Sequence, residues 1–167
     1  MKIILLYGGR SEEHDVSVLS AYSVLNAIYY KYYQVQLVFI SKDGQWVKGP
    51  LLSERPQNKE VLHLTWAQTP EETGEFSGKR ISPSEIYEEA IVFPVLHGPN
   101  GEDGTIQGFM ETINMPYVGA GVLASANAMD KIMTKYLLQT VGIPQVPFVP
   151  VLRSDWKGNP KEVFEKC

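Results

Sequence analysis

Short apolar runs that close in glycine or polar turns, separated by stretches of helical spacing, constrain this chain more than any other feature. KIILLYGG (2–9) is a continuous apolar run ended by two glycines, the pattern of a strand covered on both faces. VQLVFI (35–40) is a second run, and EAIVFPVLHG (89–98) a third, in which Pro94 announces an irregularity in strand hydrogen bonding. Between the first two, Val18, Tyr22, Leu25 and Tyr29 recur at helical spacing, with Asp15 or Ser17 available to cap the first turn. After the third, Ile106, Phe109, Met110 and Ile113 form another helical stripe, and MPYVG (115–119) reads as a short strand. Strand, helix and strand in repetition predict a parallel α/β sheet, with ligands outside the carboxyl ends of its strands.

GQWVKG and VLHLTW read as smaller strands, and residues 53–84, rich in Pro, Gln, Glu, Thr, Ser and Gly, read as a surface excursion. From Val122 to Val141 the spacing is helical until GIP stops it, and QVPFVPVL (145–152) reads as an extended edge strand. NPKEVFEKC announces a last helix, with Asn159 as cap, Pro160 at its first position and Glu162 where a capping acid belongs. That helix carries no stop signal, so the sequence reads as a piece of a longer protein.

A formal charge of -4 and a pI near 5.4 give no broad basic field for nucleic acid or anionic lipid. No apolar run approaches the roughly 18–20 residues needed to span a bilayer, and MKIILLYGG turns polar too early for a secretory signal. The expectation is a cytoplasmic protein whose partners are small molecules. The single cysteine, Cys167, excludes an internal disulfide or a cysteine metal cluster.

Two loops that follow apolar strands are candidates for chemistry. In GGRSEEHDVS (8–17), Gly8 and Gly9 allow a sharp turn, and the helix start beyond them favours an anion. It is not a dinucleotide fingerprint: two and five residues after Gly8 stand Arg10 and Glu13, which makes a dehydrogenase a poor reading. HGPNGEDGT lacks the lysine of a phosphate-cradling loop. Among Glu12, Glu13, His14 and Asp15, the acids could favour the positive end of the helix, or a carboxylate could take a substrate ammonium. His97 is either a satisfied structural histidine or a ligand-facing one at the mouth of the sheet. Glu102 and Asp103 suit turn formation or capping, and the ordinary reading of Lys131 is a solvated helix lysine.

HGPNGEDGTIQG (97–108) closely resembles the first signature segment of D-alanine-D-alanine ligases, and GGRSEEHDVS resembles their amino-terminal loop. MPYVGAGVLASANAMDKIMTK (115–135) is similar to the same family's passage into its ATP-grasp part. The resemblance implies a Rossmann-like, parallel-sheet pre-ATP-grasp domain over 1–121, which binds substrate, and the beginning of the central ATP-grasp domain over 122–167. It also implies an ATP-dependent ligase of peptidoglycan synthesis. ATP phosphorylates the carboxylate of a first D-alanine, and the amine of a second attacks the acyl phosphate. By the match, Glu13 anchors the first ammonium, Val16 and Ser17 lie close to that subsite, His97 lines it, and Lys131 contacts nucleotide phosphate. Glu102 and Asp103 are kept as loop organisers.

The magnesium ligands, the second phosphate-binding lysine and the arginine at the tetrahedral intermediate are expected beyond residue 167, so the chain alone should be inert. The family's pairing through amino-terminal domains implies a homodimer. D-lactate or D-serine as second substrate stays open, as does a non-catalytic dimerisation or binding module.

Overall fold

The computed structural model describes residues 1–66 and 77–167, which form two compact units, Met1–Ala126 and Asn127–Cys167. In the first unit β1 (Lys2–Gly8) is followed by α1 (His14–Ala27) and β2 (Gln34–Ile40). Then come β3 (Trp46–Leu52), a 3-10 turn over Lys59–Leu62, β4 (Thr65–Trp66), β5 (Ser77–Ile81), β6 (Ile91–Leu96) and α2 (Thr105–Thr112), while α3 (Val122–Met129) begins in the first unit and ends in the second. The sheet order is β4-β5-β3-β2-β1-β6.

β1 lies between β2 and β6 and pairs with both in parallel, which explains its unbroken apolar sequence. Ile4 and Leu6 enter one core layer with Val38, Val92, Ile106 and Met110. Leu5 and Tyr7 enter the other, with Ala21 and Leu25 of α1. All four strand residues are fully buried, and each aliphatic one contributes about 1.5–3 kcal/mol. The Tyr7 hydroxyl is satisfied by donating to Leu62 O at 3.0 Å, and burial pushes its pKa far up.

The other half of the sheet departs from the parallel expectation. β2 and β3 pair antiparallel, as do β3 and β5. The connection from Ser41 to Gln45 is a tight turn, with Gly44 at φ +87° and Gly44 N donating to Ser41 O at 2.9 Å. So short a link cannot make the crossover a parallel neighbour requires. GQWVKG thus supplies a genuine strand. VLHLTW opens in the 3-10 turn with Val61 and Leu62, a turn started by Asn58 accepting from Glu60 N, and only Thr65 and Trp66 pair as strand. Part of the expected excursion is β5; residues 67–76 of it lie outside the described residues. MPYVG makes a single bridge, Tyr117 to Val92, because Pro116 has no N–H to continue a ladder.

α1 begins at His14 after Glu13, so neither Asp15 nor Ser17 caps it. Leu25 is buried and Val18 and Tyr22 pack on its layer, but Tyr29 lies past the helix end, exposed.

In the second unit, α4 (Lys131–Thr140) is separate from α3, because the Asp130 carboxylate accepts from Ile132 N and Met133 N and starts a new helix. The helix expected across 122–141 is therefore two. QVPFVPVL has no strand partner among the described residues, since Pro147 and Pro150 remove two donors. α5 (Arg153–Gly158), which the sequence did not signal, precedes α6 (Pro160–Lys166), where Asn159 accepts from Glu162 N as expected.

Candidate substrate-binding site

β1 and β6 end side by side, and each releases a glycine-bearing loop at its carboxyl end. Gly8 and Gly9 have φ of +91° and +100°, and Gly9 N donates to Ile40 O at 2.7 Å, so the first loop turns away hard against β2. Ser17, fully buried on α1, closes the frame: its hydroxyl accepts from Gly8 N at 2.8 Å and donates to Val95 O. Ser17 is thus held in the scaffold under the loops. Val16 beside it is half exposed.

Ser11 joins the two loops, donating to His97 O at 2.7 Å while accepting from Glu13 N at 3.1 Å. Glu13 occupies the residue before α1 but its side chain makes no capping bond. Its Oε2 lies where a side chain on Gly98 would point, 2.6 Å from that Cβ position, and Gly98 has φ +69°. Among the described residues no hydrogen bond or ion pair engages the Glu13 carboxylate. Two neighbouring polar side chains are engaged: Asp15 pairs with Lys42 at 3.0 Å, and buried His14 places Nδ1 2.7 Å from Gly9 O, its ring edge-on to Phe39.

His97 Nε2 stands 3.0 Å from Ser20 Oγ, and its Nδ1 faces Glu102 Oε1 at 3.9 Å. Glu102 Oε2 accepts from Gly98 N at 2.7 Å, and Gln107 Nε2 donates to Gly101 O at 3.1 Å. Asp103 accepts from Asn100 N at 2.9 Å and from Thr105 N at 3.0 Å. Glu102 and Asp103 therefore fold the loop back on itself. The sequence reading missed Ser11 and Ser20; Ser20 follows Ser17 by three positions, one helical turn on the same face, and that spacing was its signal.

Burial pushes the Asp103 carboxyl up, but the bonds it accepts from Asn100 and Thr105 outweigh this and hold its pKa below the ordinary carboxylate value. A lowered pKa in the folded state adds order above the unfolded value and loses it as pH falls through the folded one. Acidification below the ordinary carboxylate range is therefore expected to release the Asn100 and Thr105 amides. Amide shifts of both residues across an acid titration check this, and unmoved shifts contradict it.

Glu13, Val16, Ser17 and His97 all belong to the first unit, where Glu13 comes next to the loop that follows His97. Lys131 opens α4 in the second, exposed and without an ion pair among the described residues. Among the described residues no set of three or more His, Cys, Asp or Glu could hold a metal ion, and no helix is long and apolar enough to cross a membrane.

A parallel strand-helix-strand unit sets two joined loops and an unengaged carboxylate at neighbouring strand ends, the place where open α/β sheets carry their ligands. The model of the family described as D-ala D-ala ligase N-terminus matches residues 2–120, and the chain belongs to that family. The chain is 99% identical over its full length to a D-alanine--D-alanine ligase of Enterococcus faecalis, covering 48% of it. It is 73% identical to that of Enterococcus hirae, covering 47%. Among solved structures, a D-alanine-D-alanine ligase from Coxiella burnetii matches 99% of this chain and 48% of its own, at 30% identity and a TM-score of 0.71. The VanG D-Ala:D-Ser ligase from Enterococcus faecalis matches 98% of this chain and 48% of its own, at 30% identity and a TM-score of 0.68. The chain spans about half the length of the curated relatives it matches.

Proposed function

We propose that this chain is the amino-terminal part of an ATP-dependent D-alanine-D-alanine ligase of peptidoglycan synthesis, working in the cytoplasm as a homodimer. The observation that carries the reading is the Glu13 carboxylate, unengaged among the described residues, lying over Gly98 beside His97. An ammonium brought there meets a full negative charge and a backbone with no side chain in the way. Held by that end, a first D-alanine presents its carboxylate outward for activation, a positioning effect of the kind that lowers the entropic barrier.

In this proposal residues 1–121 are the substrate-binding domain and 122–167 the beginning of the ATP-grasp domain. Glu13 holds the ammonium, His97 orients the amino acid from a place set by Ser20 and Glu102, and Val16 lines the subsite. Ser17 acts from beneath by holding Gly8 and Val95. ATP supplies the phosphoryl group that activates the carboxylate. Lys131, exposed at the first turn of α4, suits a phosphate contact, while magnesium falls to residues outside this chain.

D-alanine is favoured as second substrate by the names of the relatives that share most sequence; the D-Ala:D-Ser ligase matches with the same 30% identity as a D-alanine-D-alanine ligase, so the fold does not choose.

Phosphate release needing both ATP and D-alanine is expected from the chain extended to its relatives' length, with D-alanyl-D-alanine as main product when D-serine and D-lactate compete. None is expected from the 167-residue chain alone. Release by the short chain sinks the inactive-fragment reading, and an extended chain that makes no dipeptide sinks the ligase reading.

A further inference from the structure

We propose that a second pocket, on the face of the sheet opposite α1, binds a small apolar carboxylate such as an aryl-acetic acid. The cavity, about 340 Å³, opens at the carboxyl ends of β1, β2 and β6. Its floor is Ile40, Leu96 and Ile106, which belong to the core layer under α2, whereas Ser17 and Tyr7 belong with the layer under α1. Trp46 and Phe109 form its aromatic wall, their rings 5.9 Å apart and edge-on. The volume is at the small end of ligand pockets, enough for a single ring with a short arm.

Charge at the rim selects among such ligands. No Asp or Glu lines the pocket, so an ammonium entering it finds no negative charge to pair with. Arg10 does line it, and among the described residues no carboxylate or carbonyl engages its guanidinium. The Arg10 stem lies across Gly44, where a Cβ would come within 2.8 Å of its Cδ, so the bare turn at φ +87° gives the side chain its path along the rim. A guanidinium offers paired donors that match a carboxylate, and the apolar wall takes the rest of the molecule. D-alanine fits poorly here: its methyl leaves the wall unfilled and its ammonium lacks a carboxylate counter-charge. The pocket also touches Gly9 and His97 from behind, so its occupant buttresses the two loops that carry the amino-acid subsite.

Calorimetric titration of the chain with phenylacetate is the test, with phenylacetamide as the neutral comparison. Saturable binding of phenylacetate is expected, with phenylacetamide weaker by about tenfold or more, the usual worth of a hydrogen bond to a charged group. Arg10→Gln is expected to bring phenylacetate down to the level of the amide and leave the amide unchanged. Excess D-alanine should displace neither. Absence of saturable binding, equal binding of acid and amide, or displacement by D-alanine each overturns the proposal. None of these outcomes bears on dipeptide formation by the extended chain, so the ligase reading stands or falls separately.

Discussion

Gly8→Ala is expected to cost this chain about 2–5 kcal/mol, adding about 1–2 for a left-handed backbone to about 1–3 for forced overpacking. Gly8 has φ +91°, and an added Cβ would land on the carbonyl oxygen of Ile40. That oxygen is fixed, since it accepts from Gly9 N at 2.7 Å at the end of a fully paired strand. A Phe39 ring closes the other side of the same spot. A loss of this size removes a large share of the roughly 5–15 kcal/mol by which domains are stable. Gly44→Ala is the matched control. It has the same sign of φ, but its Cβ meets only the movable Arg10 side chain, so its expected cost is the backbone part alone, about 1–2 kcal/mol. Urea unfolding of both variants checks the difference; equal midpoints would show that the crowding at Ile40 is not felt.

The second large effect is on function and leaves stability alone. In the chain extended to its relatives' length, Glu13→Gln is expected to lower kcat/KM for the first D-alanine about 10²-fold or more. A neutral amide gives roughly half the bond to an ammonium that a carboxylate gives, and misplacement of the amino acid adds to the loss. Because Glu13 makes no capping bond and no ion pair among the described residues, its urea midpoint should stay within about 0.5 kcal/mol of the parent. Unchanged kcat/KM would remove Glu13 from the site, and a fall in both quantities would recast it as structural.

The residues that sequence made legible are those whose environment is local or periodic. The run KIILLYGG announced a strand buried on both faces because alternate residues, Ile4 and Leu5, enter different layers. The loop HGPNGEDGT announced its own folding, since Glu102 and Asp103 bond within four residues of themselves. What escaped was mostly non-local. Ser20 meets His97 across 77 positions, and nothing in either neighbourhood encodes that approach beyond the helical spacing from Ser17. Ser17, expected close to the subsite, also pegs Gly8 to Val95 from its buried place on α1, a role its own stretch of sequence did not announce. Two misses were local and readable: the Asp43–Gly44 turn that makes β2 and β3 antiparallel, and Asp130, whose capping oxygen interrupts an otherwise continuous helical pattern.

The bond from Ser11 to the carbonyl of His97 spans 86 positions of sequence and fastens one loop to the other within the fold itself. A recognition surface clasped in this way has met its ordering entropy during folding, and binding need not meet it again. The same clasp limits evolutionary drift. A residue inserted in either loop must preserve the reach of Ser11, so the two strand ends are free to change their appetite for ligands only in concert.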